Sequence, residues 1–454
     1  MRKEVCDLDH AKLIYNEYKK YIEEHDEEMR NGAEIWRDDL YHSALYMNGH
    51  DTSRPLMIPR LYTEETIAHF REITRITYGI LDKVIREYYR SAEYRKLFHF
   101  SKELEELILS PLGYNVMLPL SRFDIFYNDE THDFMFCEIN ADGSTGMDED
   151  RIQDKMMIHN PAHQEIIRNH DLHTFELFDS WVESFLKMYS TFKYRVEKPT
   201  VAIVDFLEKG VYKEFDEFAR HFQKHGVNCE IVDMRDLKFE DGRLISSKGH
   251  VIHAIYRRAV TLEVMNHYDE ITPFLDAVRY GHVFMAGGFC TQVVHNKWVF
   301  NVLYREETAK LLTDDETKFI KKHIPRTRRF SSEEVDLKEV LSGKDSFILK
   351  PDDGYASQGV YAGIKYTDEQ WKDIANEVYN TDYICQDYCP QYVVSNIDYV
   401  YGDGEWHDYV YMAGLYVYGG EFAGVFARAA LASNITIDYT TSEHRQVTYM
   451  VKNR

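Results

Sequence analysis

The run from Ser121 to Met147, SRFDIFYNDETHDFMFCEINADGSTGM, constrains this chain more than any other stretch. Arg122, Asp124 and Phe126 alternate with Phe123, Ile125 and Tyr127, the period of a half-buried strand. Asn128-Asp129-Glu130 is a polar turn, and Phe134 to Ile139 is a second apolar run rich in strand-favouring residues. A hairpin of this kind brings Asp124 near Glu138 and Asn140. Glu138 and Asn140 are two apart and project from one face of the second strand. Two carboxylates and an amide carbonyl are hard oxygen donors, the set that Mg²⁺ takes when it also holds phosphate. Arg122 shares the face of Asp124 and is within reach of such a phosphate. The competing reading is an ordinary hairpin with a charged outer face.

Composition limits what the rest can be. A length of 454 residues suggests roughly three domains. Hydrophobic residues at 44% and aromatics at 14% support a globular core. The formal net charge of −23 argues against a nucleic-acid backbone or an anionic membrane as the main partner. It is compatible with a cationic substrate. The six cysteines are scattered without a CxxC pair, so neither a disulfide framework nor a zinc site is expected, Cys385 and Cys389 included. The N-terminal residues have no apolar core of a secretory signal, and no stretch reaches the ~18 apolar residues of a membrane helix. A cytoplasmic protein is expected.

Along the chain, residues 1–110 read as helical, with long periodic segments at Ala11–Arg30 and Glu64–Tyr89. Asp150 to Tyr194 is helical again, broken at Asn160-Pro161. His159, His163, His170 and His173 do not repeat on one helical face, and solvated helices account for them better than a metal cluster. From Pro199 the pattern changes to strand, helix and strand, a βαβ unit with a parallel sheet. Asp205, Asp233, Arg257 and Arg258 fall at the carboxyl ends of its strands, where sites in such sheets sit. Arg257 and Arg258 suit a carboxylate substrate and suit neighbouring acids equally well. No GxGxxG follows the first strand, which argues against a dinucleotide site. A further strand at Val283–Ala286 leads to His295-Asn296-Lys297, and a helix is expected from there to Leu312.

The second informative stretch begins at Phe347-Ile348-Leu349-Lys350-Pro351 and runs through a glycine-bearing loop to Gly363. Lys350 ends a strand, where an ammonium can bridge nucleotide phosphates. In the loop, Gly354 and Gly359 give freedom, and backbone N–H groups with the Ser357 hydroxyl can cradle phosphate. The Walker A pattern is absent, and a plain hairpin with a long turn is the alternative. Tyr383 to Asp387 is a strand whose edge can offer backbone groups to an adenine ring. Two long strands then flank Gly419-Gly420, and for Arg428, which follows the second, functional and salt-bridge readings stand side by side.

With both stretches in view, the chain resembles the circularly permuted ATP-grasp ligases, and among them the synthetase portion of the glutathionylspermidine synthase family. The resemblance is carried, in order, by Arg-Phe-Asp at 122–124, Glu-Ile-Asn-Ala-Asp at 138–142, Asn-Lys at 296–297 and Ile-Leu-Lys-Pro with its glycine-rich loop from 348. Weaker matches are Ile-Pro-Arg-Thr at 324–327, Ile-Cys-Gln-Asp-Tyr at 384–388 and Gly-Val-Phe-Ala-Arg at 424–428. The family has Pro after its Asn-Ala-Asp-Thr run, where this chain has Gly143-Ser144-Thr145-Gly146. The amidase portion that some members carry is not expected here.

The resemblance implies a mixed α+β and α/β architecture: a permuted ATP-grasp fold with a Rossmann-like pre-ATP-grasp domain and a helical N-terminal segment. The expected divisions are 1–120 (helical), 121–196 (metal-binding part), 197–296 (Rossmann-like) and 297–454 (nucleotide-binding part with lid). It implies Asp124, Glu138 and Asn140 as Mg²⁺ ligands and Lys297 and Lys350 as ATP-binding lysines. The loop residues Gly354, Tyr355, Ser357, Gln358 and Gly359 become nucleotide contacts, and Gln386, Asp387 and Tyr388 the adenine strand. Arg122 and Arg428 become the catalytic arginines. The function implied is ATP-dependent joining of a small carboxylate to an amine (a peptide, amino acid or polyamine) through an acyl phosphate, with ADP and phosphate released. A kinase acting on a hydroxyl and a non-catalytic nucleotide-binding protein are the alternatives.

Overall fold

The computed structural model describes residues 7–47, 50–51, 53–208, 212–353, 359–433 and 444–452. The elements that build the site come from distant parts of the chain. Strands β1 (Leu120–Tyr127) and β2 (Phe134–Asn140) form the expected hairpin. A loop leads from it into helix α1 (Met147–Met156), and helix α2 (Tyr212–Lys224) belongs to the βαβ unit that follows. Strands β3 (Phe347–Pro351) and β4 (Tyr383–Asp387) lie in a small antiparallel sheet. Strands β5 (Trp406–Tyr418) and β6 (Glu421–Leu431) form a long hairpin near the end.

The two hairpins share one sheet in the order β6-β5-β1-β2. Gly414 of β5 faces Asp124 of β1, and Tyr416 faces Arg122. Gly414 and Asp124, 290 positions apart in sequence, are thus neighbours across a ladder. Behind this sheet lies the 27-residue helix Glu64–Arg90, capped at its start by the Thr63 side chain. Its stripe of Ile67, Phe70, Ile73, Ile80, Leu81 and Val84 packs in one core with Phe123, Ile125, Leu415 and Val417. Each such side chain contributes about 1.5–3 kcal/mol of hydrophobic stabilisation.

Beside it, the βαβ unit forms a four-stranded parallel sheet, with Thr200–Asp205 between Asn228–Asp233 and Ala254–Arg257 and with Phe284–Ala286 at one edge. This parallel sheet is as the strand–helix–strand pattern predicts. Among the described residues, no helix is long and apolar enough to cross a membrane.

Four local readings are corrected. β1 is buried along both faces, not half-buried, because its polar side chains Arg122 and Asp124 are closed off in an ion-pair cluster with Arg428. Residues 1–110 are not uniformly helical: Arg54–Pro55 and Arg60–Thr63 are short strands pairing in parallel with His444–Gln446 and Thr448–Val451. Such short strands carry no detectable period. The helix expected after His295-Asn296-Lys297, as far as Leu312, is broken into Val299–Val302 and Glu306–Ala309. Finally, β4 is a central strand with Thr327–Arg329 on one side and β3 on the other, so it offers no free edge.

Candidate active site

Across the β1–β2 ladder, Arg122 faces Asn140 and Asp124 faces Glu138. A bulge then leaves Cys137 without an opposite residue before Ile125 pairs with Phe136, a device common beside active sites. All four polar side chains leave the same face. Arg122 forks onto Asp124, Nε donating to Oδ1 at 2.7 Å and Nη2 to Oδ2 at 3.0 Å. Its remaining nitrogen, Nη1, donates to the Thr145 carbonyl at 2.8 Å. From β6, Arg428 Nη2 lies 3.1 Å from Asp124 Oδ2 and 3.9 Å from Glu138 Oε1. Asn140 Nδ2 donates to Asp124 Oδ2 at 2.8 Å and to Glu138 Oε1 at 3.2 Å. The ring of Phe426 lies under Arg122, Arg428 and Arg445. Asp124 is fully buried, and two guanidinium groups and an amide satisfy it.

The lysines meet this cluster from the other side. Lys350, at the end of β3, is buried and donates to Gln386 Oε1 at 2.9 Å; Gln386 in turn donates to Thr327 Oγ1. The Lys297 backbone N–H donates to the Asp352 carbonyl at 2.9 Å, which ties its turn to the end of β3. Glu138, His295, Lys297, Lys350 and Gln386 line one small cavity, together with Cys137, Ile139, Val299 and Phe300. Glu138 therefore belongs to both groups. Burial alone would raise its carboxyl, but the charges of Lys297, Arg428 and Lys350 and the Asn140 amide hold it down at about 2. Asp352 is pushed up to about 6 by burial and by the nearby acids Asp382 and Asp353.

The structure thus brings together Arg122, Asp124, Glu138, Asn140, Lys297, Lys350, Gln386 and Arg428. Asp387 and Tyr388 do not line the cavity; their N–H groups are taken by the Arg326 and Ser346 carbonyls. Gly359 closes the loop with φ +70° and a Tyr383 hydroxyl 2.6 Å from where a Cβ would stand. Gly354, Tyr355, Ser357 and Gln358 lie outside the described residues.

The donor types are those a hard divalent cation takes, with carboxylate oxygens of Asp124 and Glu138 at 2.8 and 3.2 Å from one Asn140 amide; a cation bound at Asp124 would displace an arginine nitrogen from it. As a ligand Asn140 would present its oxygen in place of its nitrogen, a half-turn of the terminal amide.

Two features escaped the sequence reading. Gly414 sits directly under the Arg122–Asp124 fork: a Cβ there would stand 2.7 Å from Arg122 Cδ and 2.8 Å from Asp124 Oδ1. The signal was present, since a lone glycine inside a strand marks close approach. The other is the loop Asp142–Gly146, whose backbone holds Arg122. Arg257 and Arg258 are structural: Arg257 pairs with Asp142 at 2.6 Å and Arg258 with Glu214 at 2.7 Å, all buried. Asp233 is taken by Arg235 and the Leu207 N–H.

Other clusters have partners of their own. His159 pairs with Asp39, His170 with Glu17, and His163 lies between Tyr18 and Tyr449. Glu176, Asp179 and His221 converge, but Glu176 caps the helix Phe178–Ser190 with three accepted N–H bonds, and Lys224 already neutralises Asp179.

No protein-family model matches the chain, and a search of curated proteins finds no significant match. Among solved structures, the fold is similar to that of a glutathione synthetase-like effector from Globodera pallida, in its apo form. The TM-score is 0.63 at 10% identity, over 93% of this chain and 96% of the other. D-alanyl-alanine synthetase A from Vibrio cholerae aligns with a TM-score of 0.22 at 9% identity, over 56% of this chain and 90% of its own. At 10% identity, the first likeness is one of fold.

Proposed function

We propose that this chain is an ATP-dependent carboxylate–amine ligase of the circularly permuted ATP-grasp kind, similar to the synthetase portion of glutathionylspermidine synthase. The observation that carries the reading is the double membership of Glu138. It faces Asp124 in the arginine–carboxylate cluster and lines one cavity with Lys297 and Lys350. In this reading residues 121–196 supply the metal ligands, 297–454 the nucleotide cleft and lid, 197–296 the Rossmann-like domain between them, and 1–120 the backing helices.

Lys297 and Lys350 hold the nucleotide phosphates, with Gln386 orienting Lys350 from below. Asp124, Glu138 and Asn140 would hold Mg²⁺, which when bound supplies charge to offset that of the phosphates. The substrate carboxylate attacks the γ-phosphorus and ADP leaves. Arg122, fixed on three sides by Asp124 and Thr145, and Arg428 stabilise the charge that builds on the transferring group. The amine nitrogen then adds to the acyl carbon, phosphate departs, and the amine loses a proton. An acyl phosphate hydrolyses readily, so the site must exclude water while it exists. The substrates are a small carboxylate and an amine, with no nucleic acid or membrane involved, in a cytoplasmic setting.

A screen of acid and amine pairs for ADP release tests the proposal, with hydroxylamine as a trap. A hydroxamate that forms only with ATP and the correct acid is the expected result. ATP cleavage with a phosphorylated hydroxyl and no hydroxamate would make the protein a kinase instead.

A further inference from the structure

We infer that Glu214 and Arg258, both carried by the parallel-sheet unit, are positioning residues for Arg122, acting through the loop between β2 and α1. The inference rests on the ligase reading for its catalytic consequence, though not for its structural one.

Arg122 spends two nitrogens on Asp124 and the third on the Thr145 carbonyl. That carbonyl also accepts from the Tyr416 hydroxyl at 2.8 Å, so it is turned toward the sheet. The residues on either side are held from the opposite direction. Glu214 Oε2 accepts from the Gly146 and Asp148 N–H groups, both at 3.2 Å, while Oε1 accepts from Arg258 Nη2 at 2.7 Å. Arg258 Nη1 donates to the Ser144 carbonyl. Both side chains are at most 2% exposed. The loop is therefore gripped at 144, 146 and 148 by the parallel-sheet unit and presents only Thr145 to Arg122. It has no slack on the sheet side: Gly146 has φ +105°, and a Cβ on it would stand 2.6 Å from the Phe426 ring, the same ring that underlies Arg122.

A buried ion pair of this kind is a weak source of net stability but a sharp constraint on geometry. Neither partner lines the cavity beside Glu138, Lys297 and Lys350 or bonds Arg122 or Asp124, so in the ligase reading both are positioning residues. Their effect on turnover must pass through the loop.

The test uses the full chain and two variants, Glu214→Gln and the double variant Glu214→Gln/Arg258→Met. The second leaves no buried unpaired charge, but the Ser144 carbonyl and the Tyr256 hydroxyl lose a donor, so it is expected to fold cooperatively and melt a few degrees below wild type. Two readouts are taken. The first is the split between kcat and the KM for ATP: kcat is expected to fall about 10- to 100-fold with KM within about threefold of wild type, since a displacement of about 1 Å costs this much. The second needs no turnover: the rate at which phenylglyoxal labels Arg122, read by peptide mass mapping, is expected to rise at least about fivefold in the variants as the Thr145 contact loosens. A double variant that is folded at the assay temperature and labels Arg122 at the wild-type rate overturns the inference. So does wild-type kcat in such a variant. Absence of ATP turnover in wild type with every substrate pair overturns the ligase reading alone, and the labelling result then still decides the inference.

Discussion

Asp124 is fully buried and accepts charge-assisted hydrogen bonds from Arg122 and Arg428 and an amide bond from Asn140. The fork from Arg122 depends on a planar guanidinium, which lysine cannot reproduce. Arg122→Lys is therefore expected to cut kcat by about 10²-fold or more while the KM for ATP moves only a few-fold. Steady-state kinetics at varied ATP check this, and equal losses in both constants would contradict the role. Glu138 makes a separate prediction. Its folded carboxyl lies near 2, below the ordinary glutamate value, so its ionised form stabilises the native state. That contribution is fully present above the unfolded value and is lost as pH falls toward about 2. Replacement by Gln removes a term on the order of 3 kcal/mol at most. Urea unfolding should show Glu138→Gln less stable than wild type near pH 7, with the gap narrowing as pH falls below about 4. A gap independent of pH would contradict it.

At the scale of elements, the critical junction is between β1 and β5. Gly414 lies opposite Asp124, and its missing side chain is the space into which the Arg122 and Asp124 side chains lean. Gly414→Ala is expected to leave the fold intact, lower the melting temperature by a few degrees and reduce kcat about tenfold or more. Thermal unfolding and turnover of the purified variant check this, and wild-type turnover would show that the fork has room to spare. The hairpin itself could be read directly from the sequence. Alternation in Arg122–Tyr127 and the spacing of Glu138 and Asn140 place their side chains on one face, and the structure keeps them there. The bulge at Cys137 could not be read, because an extra residue changes no composition. Nor could the role of Arg257 and Arg258. Two arginines at a strand end look the same whether their partner is a ligand or Asp142 and Glu214, and only the fold brings those acids near.

Across the whole molecule, what could be read was local and what could not was long-range. The βαβ rhythm after Pro199 predicts the parallel sheet that forms. The pairing of β1 with β5, and of Arg60–Thr63 with Thr448–Val451, joins segments that share no pattern and is set by burial of the helix Glu64–Arg90 against the sheet. A similar fold at 10% identity in a glutathione synthetase-like effector fits this division, since cores tolerate extensive hydrophobic substitution. The central claim is that an early hairpin and a late lysine-bearing sheet form one nucleotide site. The most direct test is a crystal structure of the chain with a non-hydrolysable ATP analogue and Mn²⁺ in place of Mg²⁺. The account predicts an anomalous peak bound by Asp124 and Glu138, with the phosphates between that peak and Lys297 and Lys350. A nucleotide bound over the parallel sheet, with no metal peak at Glu138, would contradict it.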